Sequence, residues 1–401
     1  MIYRPDYIEA VKPFINQPIV KILSGVRRCG KSTIFGRIHD ELLKEGVKEE
    51  DIIRKRYTEM DIPSDITAKQ RYDDLLDRRN GRKHCYLLLD EVQEVPNWEK
   101  AVNSLLEGSN ADIYVTGSNS KLRSSEISTY LTGRYVQIPV YTLSFREFLE
   151  FKKNSALSTD EKLEEYIRFG GFPIIALGNY DPDSADQISN GIYHTIASRD
   201  IFSRHRRNRQ DLFERVVRFT MENIGKTFSA NSIAAFRKNE HRSISVESIY
   251  NYLKWLEQAF IIYPCPRYDL KGKNILKTQE KYYLSDISLK YALFGYNPSM
   301  LDSILENIIF LELKRRGYNV YVGKDGDKEI DFLAEHGNDR IYVQACVRLP
   351  ENSNREVSNL MNIQDHYPKY VVTLDRFAGG NINGIKIVYL SDFLLAERWG
   401  F

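Results

Sequence analysis

The chain has 401 residues, of which 42% are hydrophobic, which is material for about two to four domains rather than a single core. Its 57 basic residues nearly cancel its 55 acidic ones, so no global positive field is available to hold a polyanion, and any such contact must come from local patches. The opening MIYRPDYIEA sets a proline and charges where an apolar signal segment would stand, and no later run approaches a membrane span. Cys29, Cys85, Cys265 and Cys346 show no CxxC spacing, which argues against a disulfide framework or a zinc site and for a cytoplasmic, reducing setting.

Along the chain, the first strong signal is PIVKILS, a β-branched run that ends at Gly25, followed after a short loop by STIFGRIHDELL with apolar residues at helical spacing. Between them GVRRCGKS fits G-x-x-x-x-G-K-S/T in its required strand, loop, helix context. Backbone N–H groups of such a loop and of the helix N-terminus cradle phosphates. Lys31 is expected to reach the β- and γ-phosphates of ATP and Ser32 to ligate magnesium. Gly25, Gly30 and Thr33 complete the nucleotide-contacting set, with glycine expected at 25 and 30 because a side chain would block the backbone's approach to the anion.

CYLLLDEVQEV then reads as a buried strand ending in Asp90 and Glu91, at the end where open α/β sheets place their chemistry. Asp90 suits holding magnesium through water. Glu91 suits polarising the water that attacks the γ-phosphate. A third strand, ADIYVTGSNS, ends in Ser118 and Asn119, either of which could bond the γ-phosphate or the attacking water while the other caps a helix. In YLTGRYVQIPV, Arg134 opens another strand, as a cation for the charge developed in phosphoryl transfer or as an edge-strand surface residue.

The order of these motifs, together with TGR, LSFREFL at 143–149 and FGGFP at 169–173, resembles a family of prokaryotic AAA-type ATPases whose members carry a C-terminal nuclease-like domain of unknown function. The resemblance implies a P-loop sheet with an extra strand between the two motifs, and hydrolysis assisted by a glutamate. It also implies that a glycine-x-proline element of the helical lid touches the nucleotide, a role that falls here on Gly171 and Pro173. A plain turn between two helices is the alternative for those two residues.

From 145 to 199 the pattern is helical, as expected of a small lid. The basic tract SRHRRNR at 203–209 comes next, as a solvated linker or a phosphodiester contact. SANSIAAFRK and SVESIYNYLKWLEQAFII read as helices, and the stretch around Lys271-Gly272-Lys273 as a hairpin, the order of a winged helix. The second helix would show the mixed set Glu247, Ser248, Asn251, Lys254 and Glu257, which is poor for gripping a polyanion. The hairpin offers Arg267, Lys271, Lys273, Lys277 and Lys281, so the expectation is phosphate contact rather than base reading, with a protein-contact module as equal competitor.

The last hundred residues alternate helix and strand in an order that resembles the restriction-endonuclease-like fold. Metal-dependent members of that fold use a helix glutamate, a strand aspartate and a glutamate-x-lysine pair on the next strand. Glu306, Asp331 and Gln344 fall on the acidic positions, and Cys346 stands where the lysine would. An amide in place of an acid and a thiol in place of an ammonium make a degenerate nuclease site, with Arg348 or Lys328 as substitutes. The domain is therefore expected to be inactive and kept for binding.

The resulting reading is an α/β chain: a P-loop NTPase parallel sheet (1–144), a helical lid (145–205), a winged-helix module (206–290) and a restriction-endonuclease-like α/β domain (291–401). Its expected function is magnesium-dependent ATP binding and hydrolysis by a switch or remodeller working beside DNA or RNA. An ATP-linked metal-dependent nuclease and an ATPase scaffold contacting only protein partners are the competitors. Catalysis is assigned to Glu91, Lys31, Asn119 and Arg134. No membrane partner is expected, and the assembly state is left open.

Overall fold

Parallel pairing organises the first unit of the computed structural model, which describes residues 4–58, 67–79, 81–108, 110–118, 130–203, 210–227, 245–349 and 355–399. By internal contact the chain divides into residues 1–142 with 258–260, and 143–257 with 261–401. In the first unit, β1 (Val20–Ser24), β2 (Ile52–Arg56), β3 (Cys85–Asp90), β4 (Ala111–Gly117) and β5 (Tyr135–Pro139) form a sheet in the order β2-β3-β4-β1-β5. All four pairings are parallel. β1, β3 and β4 are buried along their whole length, so their sequences are mostly apolar rather than alternating, and the charge they bury inside the sheet, Lys21 of β1, is paired with Asp112 of β4. β4 lies between the strand that feeds the phosphate loop and the strand that ends in Asp90.

Register decides what meets at the edge. Ser24 stands beside Gly117 and Pro139, and Arg56 beside Asp90, so the carboxyl ends of all five strands share one side of the sheet. A core of Ile22, Leu87, Leu89, Ile113, Val115, Trp98 and Val102 packs one face.

The second unit begins with helices. Phe145–Phe151 and Thr159–Phe169 each open with a reciprocal capping box, Ser144 with Glu147 and Ser158 with Glu161. Pro173–Leu177 and Pro182–Ile196 come next, the latter running into a π-helical stretch, Ala197–Phe202. After Gln210–Glu222 and Val246–Gln258 come β6 (Ile262–Asp269), β7 (Asn274–Leu284), the helix Leu301–Arg315, β8 (Asn319–Asp325), β9 (Lys328–His336), β10 (Asp339–Cys346), the helix Arg355–Met361, β11 (Lys369–Thr373), β12 (Gly380–Ile382) and β13 (Ile385–Tyr389). The sheet order is β12-β13-β11-β10-β9-β8-β6-β7. β8, β9 and β10 form an antiparallel meander, and the helix Arg355–Met361 connects β10 to the parallel strand β11. No helix among the described residues is long and apolar enough to cross a membrane.

The hairpin expected to stand as a wing is not separate. β6 and β7 pair with each other, but β6 also pairs in parallel with β8 through Arg267, Tyr268 and Asp269, so the hairpin is the edge of the last sheet. A boundary at 290 therefore does not separate the hairpin from β8 and its neighbours, because backbone hydrogen bonds cross that point. The predicted helix in SANSIAAFRK and residues 204–209 of the basic tract lie outside the described residues.

The GGFP turn is fixed from below by Asp286. Gly171 N–H donates to Asp286 Oδ2 at 2.9 Å, Ser288 N–H and Oγ donate to its other oxygen, and the Gly171 carbonyl accepts from Leu143 N–H at 2.7 Å. Gly170 adopts φ +74, and a Cβ there would lie 2.1 Å from Asp286 Oδ1. Gly170→Ala is expected to destabilise this unit by about 3 kcal/mol, from backbone strain and overpacking together. The check is urea denaturation of the variant against the parent protein, with Gly191→Ala, where a Cβ meets nothing within 4 Å, as the control.

Candidate nucleotide-binding site

The phosphate loop leaves β1 at Ser24 and enters the helix Lys31–Lys44, whose N-cap, Gly30, has φ +104, a conformation that favours glycine. Gly25 is required for a reason other than the expected one. A Cβ at that position would sit 2.0 Å from the carbonyl oxygen of Val140, so close packing against the chain leaving β5 excludes a side chain before any anion arrives. Val140 N–H donates to Ser24 O at 2.8 Å and holds the two segments together there.

Lys31 is buried, and its Nζ donates to Gly25 O at 2.9 Å and Val26 O at 3.1 Å, so the ammonium lies along the inside of the loop. Ser32 is half-buried and Thr33 exposed at the helix start. Arg4 braces the loop from outside: its guanidinium donates to Cys29 O at 2.9 Å and to Tyr141 O at 3.0 Å. Sequence reading misses Arg4, because nothing local marks it and its partners lie far along the chain.

Asp90 is fully buried, and Thr116 Oγ1 donates to its Oδ1 while Arg56 Nε lies 3.1 Å from its Oδ2. Glu91 sits in the left-handed region at φ 57, which turns its side chain out of the strand line. Its N–H donates to Thr116 Oγ1 at 3.0 Å, and its carboxylate accepts from Gln93 Nε2, which also reaches Ser118 Oγ at 3.3 Å. Burial pushes the Glu91 carboxyl up, but Lys31, Gln93 and Arg27 more than offset it and leave it below its ordinary range, ionised and able to accept a proton. Thr116, Gln93 and Arg56 are also missed by sequence reading, since each acts only through strand neighbours.

Lys31, Ser32, Asp90, Glu91 and Ser118 thus come together at one edge of the sheet. Arg134 does not join them. It precedes β5, its carbonyl accepts from Val20 N–H at the start of β1, and its side chain is held by Asn103 at 2.9 Å and Glu107 at 2.7 Å. It therefore stands at the opposite edge, remote from the phosphate loop of its own chain. Asn119 lies outside the described residues. Gly171 and Pro173 belong to the second unit, where Gly171 is bonded to Asp286 and Pro173 opens a short helix.

In the second unit Glu306 and Asp331 are brought together, and the cation between them is Lys281 from β7, 3.3 Å from Glu306 Oε2 and 3.7 Å from Asp331 Oδ1. Gln344 Oε1 accepts from Asp331 N–H at 3.3 Å. Cys346 is turned to the Arg348 carbonyl, and the expected substitutes Arg348 and Lys328 are both exposed. The sequence pattern puts Lys281 on the solvent face of the hairpin. β7 instead turns residues 281 and 283 toward the helix Leu301–Arg315, and Lys281 is only 3% exposed.

A parallel sheet in this order, with a glycine-lysine-serine loop after β1 and paired acids after β3, is the architecture of P-loop nucleotide-binding proteins. Residues 17–149 match an AAA domain and residues 160–300 a domain of unknown function. A Haemophilus influenzae protein described as uncharacterized is 36% identical over 98% of this chain and 99% of its own length, and one from Methanocaldococcus jannaschii is 33% identical over 84% and 77%. The Walker-type ATPase PABY2304 of Pyrococcus abyssi shares the fold at a TM-score of 0.53 and 13% identity, over 73% of this chain and 96% of that one. The chain belongs to one family with these Haemophilus and Methanocaldococcus relatives, and within it residues 17–149 carry the AAA-type P-loop domain.

Thr116 joins the two acids, since its hydroxyl serves both Asp90 and the Glu91 backbone. Thr116→Val keeps the volume and removes both bonds, leaving buried polar groups unpaired. The expected loss in the first unit is about 2 to 3 kcal/mol in urea denaturation, with no comparable loss for Thr33→Val at the exposed helix start.

Proposed function

We propose that the protein hydrolyses ATP in a magnesium-dependent cycle and works as a switch or remodeller. The observation that carries this reading is the placement of Glu91. Its carboxylate is ionised, is oriented by Gln93 and Ser118, and shares the sheet edge with Lys31 and Asp90. The donor set suits the cofactor: hard oxygens of Ser32 and Asp90 match magnesium, and Asp90 is already placed to receive a cation because Arg56 stands against it. When bound, magnesium neutralises charge on the β- and γ-phosphates.

The chain's own residues account for the rest. Lys31 exchanges two neutral carbonyl partners for phosphate oxygens, a gain because the new partners are charged. Arg56 holds Asp90 in the position from which its carboxylate would help hold magnesium. Glu91 orients water in line with the γ-phosphate and takes up its proton. Arg134, at the far edge of the sheet, would serve another subunit's nucleotide rather than its own.

A second reading concerns the output. The hairpin expected to grip phosphates has Lys281 withdrawn into the unit and Lys271 facing Asp325 at 3.4 Å, while the helix Val246–Gln258 exposes Glu247, Asn251, Lys254 and Glu257. This favours protein partners over nucleic acid for that surface.

Lys31→Ala is expected to lose ATP binding and turnover together, whereas Glu91→Gln should bind ATP and turn over at least about 100-fold more slowly. Binding by fluorescent nucleotide and phosphate release separate the two, and wild-type turnover in Glu91→Gln would remove the assigned base. Turnover measured with single- and double-stranded DNA and RNA should change by less than about twofold; a larger, steeply salt-dependent stimulation would restore nucleic acid as the partner.

A further inference from the structure

A charged cluster in the second unit draws on four elements, with Lys281 and Asp331 buried, Glu306 partly buried and Glu329 more exposed. Glu306 comes from the helix Leu301–Arg315, Glu329 and Asp331 from β9, Lys281 and Tyr283 from β7, and Ala345 from β10. Lys281 Nζ lies 3.0 Å from Glu329 Oε1, 3.3 Å from Glu306 Oε2 and 3.7 Å from Asp331 Oδ1. Each of the three carboxylates also accepts a further hydrogen bond. Tyr283 OH donates to Glu306 Oε2 at 2.9 Å, Ala345 N–H to Asp331 Oδ2 at 2.9 Å, and Thr227 Oγ1 to Glu329 Oε2 at 3.2 Å. Gly225, at φ +73, passes so close that a Cβ would stand 3.0 Å from Glu306 Oε2.

We propose that Lys281 is the resident cation of this cluster: its ammonium occupies the point where the three carboxylates would otherwise gather a divalent metal, and it keeps magnesium and manganese out. Magnesium needs oxygens at about 2.0 to 2.1 Å in octahedral array, which the three carboxylates could approach only by closing on the position that Nζ holds. An ammonium within hydrogen-bonding reach repels the incoming ion, and it cannot step aside without leaving the largely buried carboxylates of Glu306 and Asp331 without their cation. Burial lowers the affinity of Lys281 for its proton, but Glu306, Asp331 and Glu329 more than offset this, so the charge stays on the lysine. Among the described residues no group of three His, Cys, Asp or Glu is arranged to hold a metal ion. On the reading of this unit as nuclease-like, its cation is built into the chain, so it is suited to contact rather than cleavage.

The test is manganese binding to the full chain, without nucleotide, carrying Asp90→Asn so that the first unit contributes no site. Isothermal titration and electron paramagnetic resonance should find no Mn²⁺ site lost on adding Asp331→Asn, and plasmid, linear or single-stranded DNA should stay uncut with magnesium or manganese. Lys281→Met should gain one Mn²⁺ site that the chain with native Lys281 lacks, and Asp331→Asn in that background should abolish it. A manganese site in the chain with native Lys281 that Asp331→Asn removes would overturn the proposal, as would a folded Lys281→Met protein that gains none. Should Lys281→Met fail to fold, the Asp331→Asn comparison alone decides, because the proposal requires that it find no difference. Loss of ATPase activity in the first unit would leave this outcome untouched, since the two sites are read separately.

Discussion

Gly25 and the Val140 carbonyl approach each other closely enough to leave no room for a Cβ, and the rest of the nucleotide site depends on that meeting. It sets where β1 stops and therefore where the loop can begin. The parallel register then brings Arg56, Asp90 and Gly117 to the same edge, and the loop's lysine points back at carbonyls that a phosphate can replace. The geometry is thus dictated by backbone packing, with the chemistry laid over it.

Two buried lysines in this chain show how partner type decides what a cation can do. Lys31 is held by the neutral carbonyls of Gly25 and Val26, so a phosphate offers it a better partner and it is free to exchange. Lys281 is held by three carboxylates, and an incoming ligand offers nothing stronger. The same side chain is a ligand-binding group in one setting and a fixed structural charge in the other. Arg56 lies between the extremes, half-exposed and paired with a single carboxylate.

The phosphate loop, Asp90 and Glu91 are legible in the sequence because each is a short contiguous pattern whose meaning depends on local structure. The helices of 145–199 are legible for the same reason, through their periodicity and capping serines. Arg4, Thr116 and Lys281 are not. Arg4 bonds to residues 25 and 137 positions away, and Lys281 acquires its role only when β7 is laid beside a helix that comes 25 residues later. The hairpin is recognisable as a hairpin, but its membership of the last sheet rests on three residues of pairing with β8, which no local signal encodes. Gly25 is marked by its motif for a different cause: the motif requires glycine there, and the carbonyl that enforces it belongs to another strand's exit.

Asp286 has a mechanical consequence. It ties the backbone of the GGFP turn to the stretch just after β7, while Tyr291 OH bonds Ile167 O and Arg315 bonds Leu143 O, so helices from 143 onward and the eight-stranded sheet share a common set of buried bonds. A displacement imposed on the first of those helices cannot be absorbed by a soft joint before the sheet. It is transmitted to the sheet as through a stiff arm.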